Sequence, residues 1–255
     1  MTIELVCVFA GFLCGFFNTV ASSGSAVTLP LLVFLGVPPA IANGTNRLPV
    51  VLAALVATYA FIKAGKIRWA IALKLSIPPM VGCLIGAEIA DHIDPSKLHG
   101  VIAIAVVVAL VLLFTRIKTA LQSTLNEPER YRFLDGLYLL LVGVWMGLIV
   151  LDGATYLLMV LILSMRMQLL VANAYKNLIL VVVSGMSLVV FAIDGNVDWR
   201  LGALLALGSL IGGYVGARFA MHELAKKWTY RFLVGIIVLE LIHMAVMYVT
   251  GDMIN

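Results

Sequence analysis

Two polar hexapeptides interrupt an otherwise apolar chain, and each contains one cation. Residues 42–47 read Ala-Asn-Gly-Thr-Asn-Arg, and residues 172–177, which begin 130 positions later, read Ala-Asn-Ala-Tyr-Lys-Asn. A helix brings positions i, i+3 and i+4 onto one face. Two asparagines and one cation therefore share a predicted face in each hexapeptide: Asn43, Asn46 and Arg47 in the first, and Asn173, Lys176 and Asn177 in the second. Cations beside amide donors are suited to binding an anion.

The two cations offer different chemistry. Arg47 presents a planar fork of donors, whereas Lys176 is a point charge. Such a charge at the centre of a bilayer costs about 2.5 to 3.5 kcal/mol on insertion scales, which makes it a candidate for function. The alternative is that each snorkels to the interface from a helix end. Thr45 and Tyr175 point away from the two faces by spacing, but their hydroxyl groups are also candidates for substrate binding.

The composition is that of an integral membrane protein. Hydrophobic residues make up 63% of the 255 residues, only 12% are charged, and the mean hydropathy is +1.10. A soluble domain has about 25% charged residues. The apolar runs approach or reach the roughly 20 residues that a spanning helix needs. They lie at about residues 3–21, 48–62, 69–90, 98–115, 134–150, 178–193, 201–220 and 229–249.

The sequence gives little support for an enzyme, a metal site or a cofactor. The motifs of zinc proteases, serine hydrolases and P-loop proteins are absent, and the four histidines do not form a ligand set. The cysteines, Cys7, Cys14 and Cys83, lie in apolar runs without metal-ligand spacing. We therefore expect a non-enzymatic membrane protein with no cofactor and no nucleic-acid partner.

The offset of 130 extends beyond the hexapeptides and indicates a duplicated half. Residues 65–69 (Gly-Lys-Ile-Arg-Trp) match residues 195–199 (Gly-Asn-Val-Asp-Trp). Further small residues match with an offset of 130 or 132: Gly82, Gly86 and Ala87 with Gly212, Gly216 and Ala217, and Gly11 and Gly15 with Gly143 and Gly147. An internal repeat of this length predicts two similar structural units.

Each half contains a break followed by an apolar segment too short to cross a bilayer. The short segments are residues 27–35 and 156–163. Unwound backbone at membrane depth is tolerated only beside protein or a cavity, so matched breaks are a pointer to a transporter site. Hydroxyl groups and free backbone amides at the start of the following helix would attract an anion, although serine and threonine are also ordinary helix caps. The candidates are Ser22, Ser23, Gly24, Ser25, Gly153 and Thr155, with Asp152 either accepting a coupling proton or pairing with a cation.

Basic loops predict how the halves face the membrane, because lysine and arginine concentrate on the cytoplasmic side. If each broken segment returns to its own side, each half crosses an odd number of times and the halves are inverted. That arrangement leaves only Lys97 and Arg200 of the loop cations outside and puts both termini outside. The predicted fold is all-α, with two inverted repeats that each contain a broken or re-entrant helix pair followed by three transmembrane helices. The predicted units are residues 1–115, a cytoplasmic linker at 116–133, and residues 134–255.

Several of these motifs resemble the sulfite exporter TauE/SafE family. The resemblance spans about residues 8–249, and it includes a glycine-spaced first helix and a small-residue break. It continues through Leu-Pro-Leu-Leu at residues 29–32, Leu-Gly-Val-Pro-Pro at 35–39 and Ala-Asn-Gly-Thr-Asn at 42–46. The chain departs from the family at its first break, where Ser22-Ser23-Gly24-Ser25 replaces a usual run of glycines.

Membership in that family implies a secondary transporter in the inner membrane. Its expected substrates are small sulfur-containing anions such as sulfite, sulfoacetate or other organosulfonates, its expected coupling ion is the proton, and export is the expected direction. Two alternatives remain open: transport of another small organic anion such as a carboxylate, or a membrane scaffold whose buried cations only pair structurally.

Overall fold

The computed structural model describes residues 3–92, 131–149 and 153–222, with only the backbone described for residues 91 and 92. The predicted helices at 98–115 and 229–249, the linker at 116–130 and Asp152 lie outside these ranges. Within them the chain is almost entirely helical and has no strand. The helices are α1 (Ile3–Ala21), α2 (Ser25–Phe34), α3 (Pro39–Thr45), α4 (Arg47–Lys63), α5 (Trp69–His92), α6 (Phe133–Leu148), α7 (Gly153–Met159) with a π-helical turn at Val160–Ser164, α8 (Leu169–Ile193) and α9 (Trp199–Ala220).

Five segments in the described ranges are long and apolar enough to cross a bilayer. They are Ile3–Ala21, Pro39–Lys63, Trp69–Ala90, Leu169–Ile193 and Trp199–Ala220. The segments α2 and α7 follow the two predicted breaks and are short, as expected. Helix α8 is the main difference in helix boundaries, because it begins at Leu169 rather than near residue 178. The second hexapeptide therefore lies inside a long helix, whereas the first spans the junction between α3 and α4.

Helices α1, α4 and α9 run in the same direction. Glycines bring α1 and α9 into close contact, since a Cβ added to Gly11 would lie 2.0 Å from the carbonyl oxygen of Leu205 and one added to Gly15 would lie 2.3 Å from that of Ser209. Ser209 also donates a hydrogen bond to the carbonyl of Pro49 on α4, at 2.8 Å. These small residues let the helix backbones approach closely, as in other membrane bundles.

Helices α5, α6 and α8 form a second set with a common direction. A Cβ on Gly82 would lie 2.1 Å from the carbonyl oxygen of Leu140, and one on Gly86 would lie 2.0 Å from that of Val144. The contacts of α8 also progress in the same direction as those of α5. Tyr175, near the start of α8, contacts Arg68 just before α5, and Val183, further along α8, contacts Cys83 further along α5.

The second set runs opposite to the first. The guanidinium of Arg47, at the start of α4, lies over the ring of Phe191 near the end of α8, 5.3 Å from its centroid. Phe61, near the end of α4, is in one apolar cluster with Ala174 near the start of α8. Helices α4 and α8 are therefore antiparallel.

The short segments turn back along the helices that precede them. Gly24 packs against the carbonyl of Cys14, and the Thr28 hydroxyl lies 3.5 Å from the Cys14 sulfur, so α2 returns along α1. Gly153 packs against Met146, and the ring of Tyr156 lies 5.9 Å from that of Trp145, so α7 returns along α6.

These directions separate the charges of the described residues between the two ends of the bundle. The end at which α4 and α9 finish carries basic side chains: Lys63, Lys66, Arg68, Arg132, Arg166 and Arg218. The opposite end carries Asp194, Asp198 and an exposed ion pair in which Arg200 lies 3.5 Å from Glu4. One end is thus basic, and the other is mainly acidic.

Candidate functional site

Lys176 on α8 binds the end of α1. Its ammonium group donates to the carbonyls of Asn18 (2.6 Å) and Thr19 (3.2 Å) and to the hydroxyl of Ser22 (3.1 Å). The last carbonyls of a helix have no intrahelical partner and carry partial negative charge, so a cation there is favourable. The side chain is completely buried, and these three contacts use all three of its donors.

Arg47 on α4 binds the end of α6 in a similar way. One terminal nitrogen donates to the carbonyl of Met146, and the other donates to that of Gly147 at 3.0 Å. Asn43 donates to the next carbonyl, that of Leu148, at 3.1 Å. Each half of the chain therefore supplies a cation that caps the first helix of the other half.

The side chains of the first hexapeptide contact two different helices. The Asn46 oxygen accepts a hydrogen bond from the Thr28 hydroxyl on α2 at 2.5 Å, whereas Asn43 and Arg47 donate to the end of α6. Asn46 lies between α3 and α4 but keeps right-handed helical dihedral angles (φ −67°, ψ −14°). The shared face of Asn43, Asn46 and Arg47 therefore stays a prediction, and their hydrogen bonds reach both α2 and α6.

The side chains of the second hexapeptide also differ in their contacts, although they lie within one helix. The Asn177 amide donates to the backbone carbonyl of Asn173 at 2.8 Å and to its side-chain oxygen at 3.4 Å. Lys176, with its longer side chain, extends to α1 instead. Since Lys176 and Arg47 bind the ends of different helices, the prediction of one site shared by both cations has no support in these contacts.

The hydroxyls of Thr45 and Tyr175 form hydrogen bonds with the loops that precede α9 and α5, respectively. The Thr45 hydroxyl accepts the backbone N–H of Asp198 at 2.8 Å, and the Tyr175 hydroxyl accepts that of Arg68 at 3.2 Å. Both pairs are related by the offset of 130. Each hydroxyl contacts the backbone of a loop in these hydrogen bonds, and its role in substrate binding stays a prediction.

The two breaks meet inside the protein. The hydroxyls of Ser23 and Thr155 are 3.4 Å apart, and the Thr155 hydroxyl donates to the carbonyl of Ser22 at 3.4 Å. Ser22 has a φ of +65°, a value that non-glycine residues seldom adopt. Ser25 is buried at the start of α2. The two breaks are therefore in contact with each other, while their role in a transport site stays a prediction.

The sequence predicted free backbone amides at the start of α2, but two amides of its first turn already donate hydrogen bonds to backbone carbonyls. The N–H of Ala26 donates to the carbonyl of Ser23 at 3.3 Å, and that of Val27 donates to the carbonyl of Gly24 at 3.1 Å. These two donors are therefore not available to a ligand in this conformation.

Several buried polar atoms have no hydrogen-bond partner within the described part of the chain. The unpartnered nitrogens are Asn18 Nδ2, Asn46 Nδ2 and Arg47 Nε; the oxygens are Thr19 Oγ1, Thr58 Oγ1 and Asn177 Oδ1. Such atoms are rare in native proteins and require an explanation. Asn18 and Thr19 were not predicted, although a polar pair directly before the first break was a visible signal. No group of three metal-binding side chains was found in the described ranges.

Comparisons with known proteins agree with a membrane transporter. The chain is 24% identical to a probable membrane transporter protein, ORF9, of Sinorhizobium sp., over 85% of this chain and 83% of that protein. It is 27% identical to the probable membrane transporter protein YfcA of Escherichia coli strain K12, over 86% and 81%. No solved structure matches the chain significantly. Residues 7–244 match the family model for the sulfite exporter TauE/SafE. The chain therefore belongs to the sulfite exporter TauE/SafE family of membrane transporters.

Proposed function

We propose that this chain is a secondary transporter that exports small sulfur-containing anions, such as sulfite, sulfoacetate or other organosulfonates, in a cycle linked to the proton gradient. The observation that carries the proposal is the set of buried, unpartnered nitrogen donors, Asn18 Nδ2, Asn46 Nδ2 and Arg47 Nε. Burying unused donors is costly, and an oxyanion would supply their missing acceptors. Membership in the family supports the substrate class.

The two halves form inverted repeats in this proposal. In the first half α1 and α4 point one way and α5 the other; in the second, α6 and α8 share the direction of α5, and α9 returns to that of α1. The corresponding helices thus have opposite directions, which supports inversion. Alternating access in such folds comes from one bundle rocking against the other.

The basic end of the bundle faces the cytoplasm in this proposal. Lysine and arginine concentrate on that side of a membrane, and Lys63, Arg68 and Arg218 lie at the same end. Helix α1 then starts at the outer face of the inner membrane, near the exposed Glu4–Arg200 pair. The predicted outer position of the C-terminus lies outside the described residues and remains part of the proposal.

The cations hold the two halves in register during the cycle. Lys176 and Arg47 each connect one half to the end of the first helix of the other half, so rocking must strain or exchange these contacts. The Arg47 guanidinium retains one nitrogen, Nε, without a partner, whereas the Lys176 contacts use all three of its donors. Arg47 is therefore the better candidate for direct contact with the anion, and Lys176 for holding α1.

Flux into proteoliposomes tests the proposal. With an imposed pH gradient we expect wild-type protein to transport sulfite and sulfoacetate, and to transport acetate, a carboxylate, at least tenfold more slowly. Arg47→Ala should reduce flux at least tenfold. Arg200→Ala, which removes a guanidinium that is 82% exposed, is the matched control and should leave flux unchanged. Absence of specific flux and binding of both sulfur compounds in wild type would refute the proposal.

Asp152 is the proposed proton acceptor. Asp152→Asn should abolish acceleration of flux by the pH gradient, yet preserve exchange of labelled for unlabelled sulfite, which needs no net proton movement. Retained gradient dependence in this variant would exclude Asp152 from coupling.

A further inference from the structure

A set of buried polar side chains lies where α1 packs against α2 and the start of α4, and no sequence pattern predicted this arrangement. Its residues, named here the amide groove, are Cys14, Asn18, Gly24, Thr28 and Asn46. A Cβ on Gly24 would lie 2.1 Å from the carbonyl oxygen of Cys14 and 2.6 Å from the Cβ of Asn18. Only glycine therefore lets α2 pack this closely, and the close packing buries the side chain of Asn18 against α2.

Thr28 connects the two sides of the groove. Its hydroxyl lies 2.5 Å from the side-chain oxygen of Asn46 and 3.5 Å from the sulfur of Cys14. Asn18 follows Cys14 by one helical turn on the same face of α1, where Cβ atoms are about 5 to 6 Å apart. The side chains of Asn18 and Asn46 thus both lie beside α2, Asn18 at Gly24 and Asn46 at Thr28, one helical turn further along.

Asn18 and Asn46 each have a buried side-chain nitrogen in the amide groove that lacks an acceptor. Asn18 is 2% exposed and Asn46 is 0% exposed, and the side-chain nitrogen of each has no hydrogen-bond partner among the described residues. The Thr28 contact fixes the Asn46 oxygen, so the Asn46 nitrogen must project elsewhere. Two buried amide nitrogens that lack acceptors and lie beside the same helix are suited to a ligand that supplies two oxygens.

Given the proposed function, we propose that the side-chain amides of Asn18 and Asn46 bind two oxygens of one substrate oxyanion in the amide groove. Lys176 contributes positive charge close by, since its ammonium lies 2.6 Å from the backbone carbonyl of Asn18. A sulfite or sulfonate group presents three acceptor oxygens and can accept from both amides, while a carboxylate presents two. Helix α2 must separate from α1 to admit the anion, because both amides are buried in this conformation.

The combination of side chains in the amide groove is not repeated in the second half. With the offset of 132 Asn18 corresponds to Val150, and with the offset of 130 Thr28 corresponds to Leu158 and Asn46 to Lys176. The arrangement of two amides and a hydroxyl therefore occurs once. It predicts one oxyanion site per chain, located in the first half.

Asparagine-to-aspartate substitutions test this site with almost no change in shape. Asn46→Asp keeps an oxygen for the Thr28 hydroxyl but replaces the unused donor with a negatively charged acceptor, and Asn18→Asp makes the same exchange on α1. Asn18→Ser removes the amide without adding charge. Thr58→Val, which removes a buried unpartnered hydroxyl on α4 outside the groove, is the matched control. The measurements are KM for sulfite and sulfoacetate flux in proteoliposomes, and the melting temperature of each purified variant.

We expect KM to rise at least tenfold in both aspartate variants and about tenfold in Asn18→Ser, with Thr58→Val within twofold of wild type. An unchanged KM in any of the three groove variants that keeps the wild-type melting temperature would overturn the amide site. If wild type transports both anions in that case, the proposed function survives without this site. If wild type transports neither, the proposed function itself fails.

Discussion

The ends of α1 and α6 are built alike but differ in what surrounds them. A cation from the other half caps each end: Lys176 for α1 and Arg47 for α6. Around the end of α1 lie hydroxyls and unused amides, whereas α7 packs beside α6 through Trp145, Tyr156 and the buried side chains of Leu157 and Leu158. The repeat thus preserves the cap in both halves and the polar groove in only one. Under the proposed function, support of the fold and recognition of an anion would therefore be separable features of this chain.

The largest expected effect comes from removing a cap. Lys176→Met leaves three buried acceptors without their donor, and each such acceptor costs about 1 to 3 kcal/mol. Arg47→Met removes the donors of only two carbonyls, while Asn43 still donates to Leu148. We therefore expect a larger fall in melting temperature for Lys176→Met, measured on purified protein. A larger fall for Arg47→Met would show that the end of α6 is the more dependent on its cation.

The glycines at the two breaks provide the next test. The Cβ of Gly24→Ala would meet the Cys14 backbone at 2.1 Å, whereas that of Gly153→Ala would meet the flexible Met146 side chain at 2.4 Å. Overpacking costs about 1 to 3 kcal/mol, and only Met146 can move aside readily. We expect a clear loss of thermal stability and flux in Gly24→Ala and little change in Gly153→Ala. Equal losses would contradict the closer packing of the first break.

The sequence predicted the parts of this fold that depend on hydrophobic length and on repetition. The bounds of α1, α4 and α9 agree with the apolar runs to within about two residues, and the two loop contacts are related by the offset of 130 that indicated a duplicated half. The start of α8 was placed too late, because the polar hexapeptide interrupted the apolar run without interrupting the helix. Burial inside the bundle allows Asn173 and Lys176 within a continuous helix.

The candidate site was harder to predict, because side-chain partners come from distant parts of the chain. No local pattern indicates that Lys176 reaches α1 or that Arg47 reaches α6. Asn18 lies in an apolar run that reads as a plain membrane helix, and its environment depends on α2 folding back over Gly24. Asp135 drew no attention in the sequence, yet it is buried in the first turn of α6, where it accepts hydrogen bonds from the Arg132 N–H and the Ser164 hydroxyl.

The loop contacts of Thr45 and Tyr175 should respond alike to mutation, whereas the glycines at the two breaks should respond differently. Tyr175→Phe removes the acceptor of the Arg68 N–H, and Thr45→Val removes that of the Asp198 N–H. One neutral hydrogen bond contributes roughly 1 kcal/mol, so hydrogen exchange of each freed amide should accelerate about fivefold. The measurement is hydrogen–deuterium exchange of residues 64–68 and 194–198. Acceleration in only one variant would show that the two loops differ as much as the breaks do.

The smallest effect is expected at Thr155, where the second break meets the first. Its two contacts of 3.4 Å are longer than the roughly 2.7 to 2.8 Å typical of hydroxyl hydrogen bonds. Thr155→Val keeps the shape of the side chain, so we expect a melting temperature close to that of wild type and a KM for sulfite within twofold. A tenfold rise in KM at an unchanged melting temperature would place the second break in the anion site. Because the Thr155 hydroxyl lies beside Ser22 and Ser23, such a result would extend the site across both halves and refute its restriction to the first.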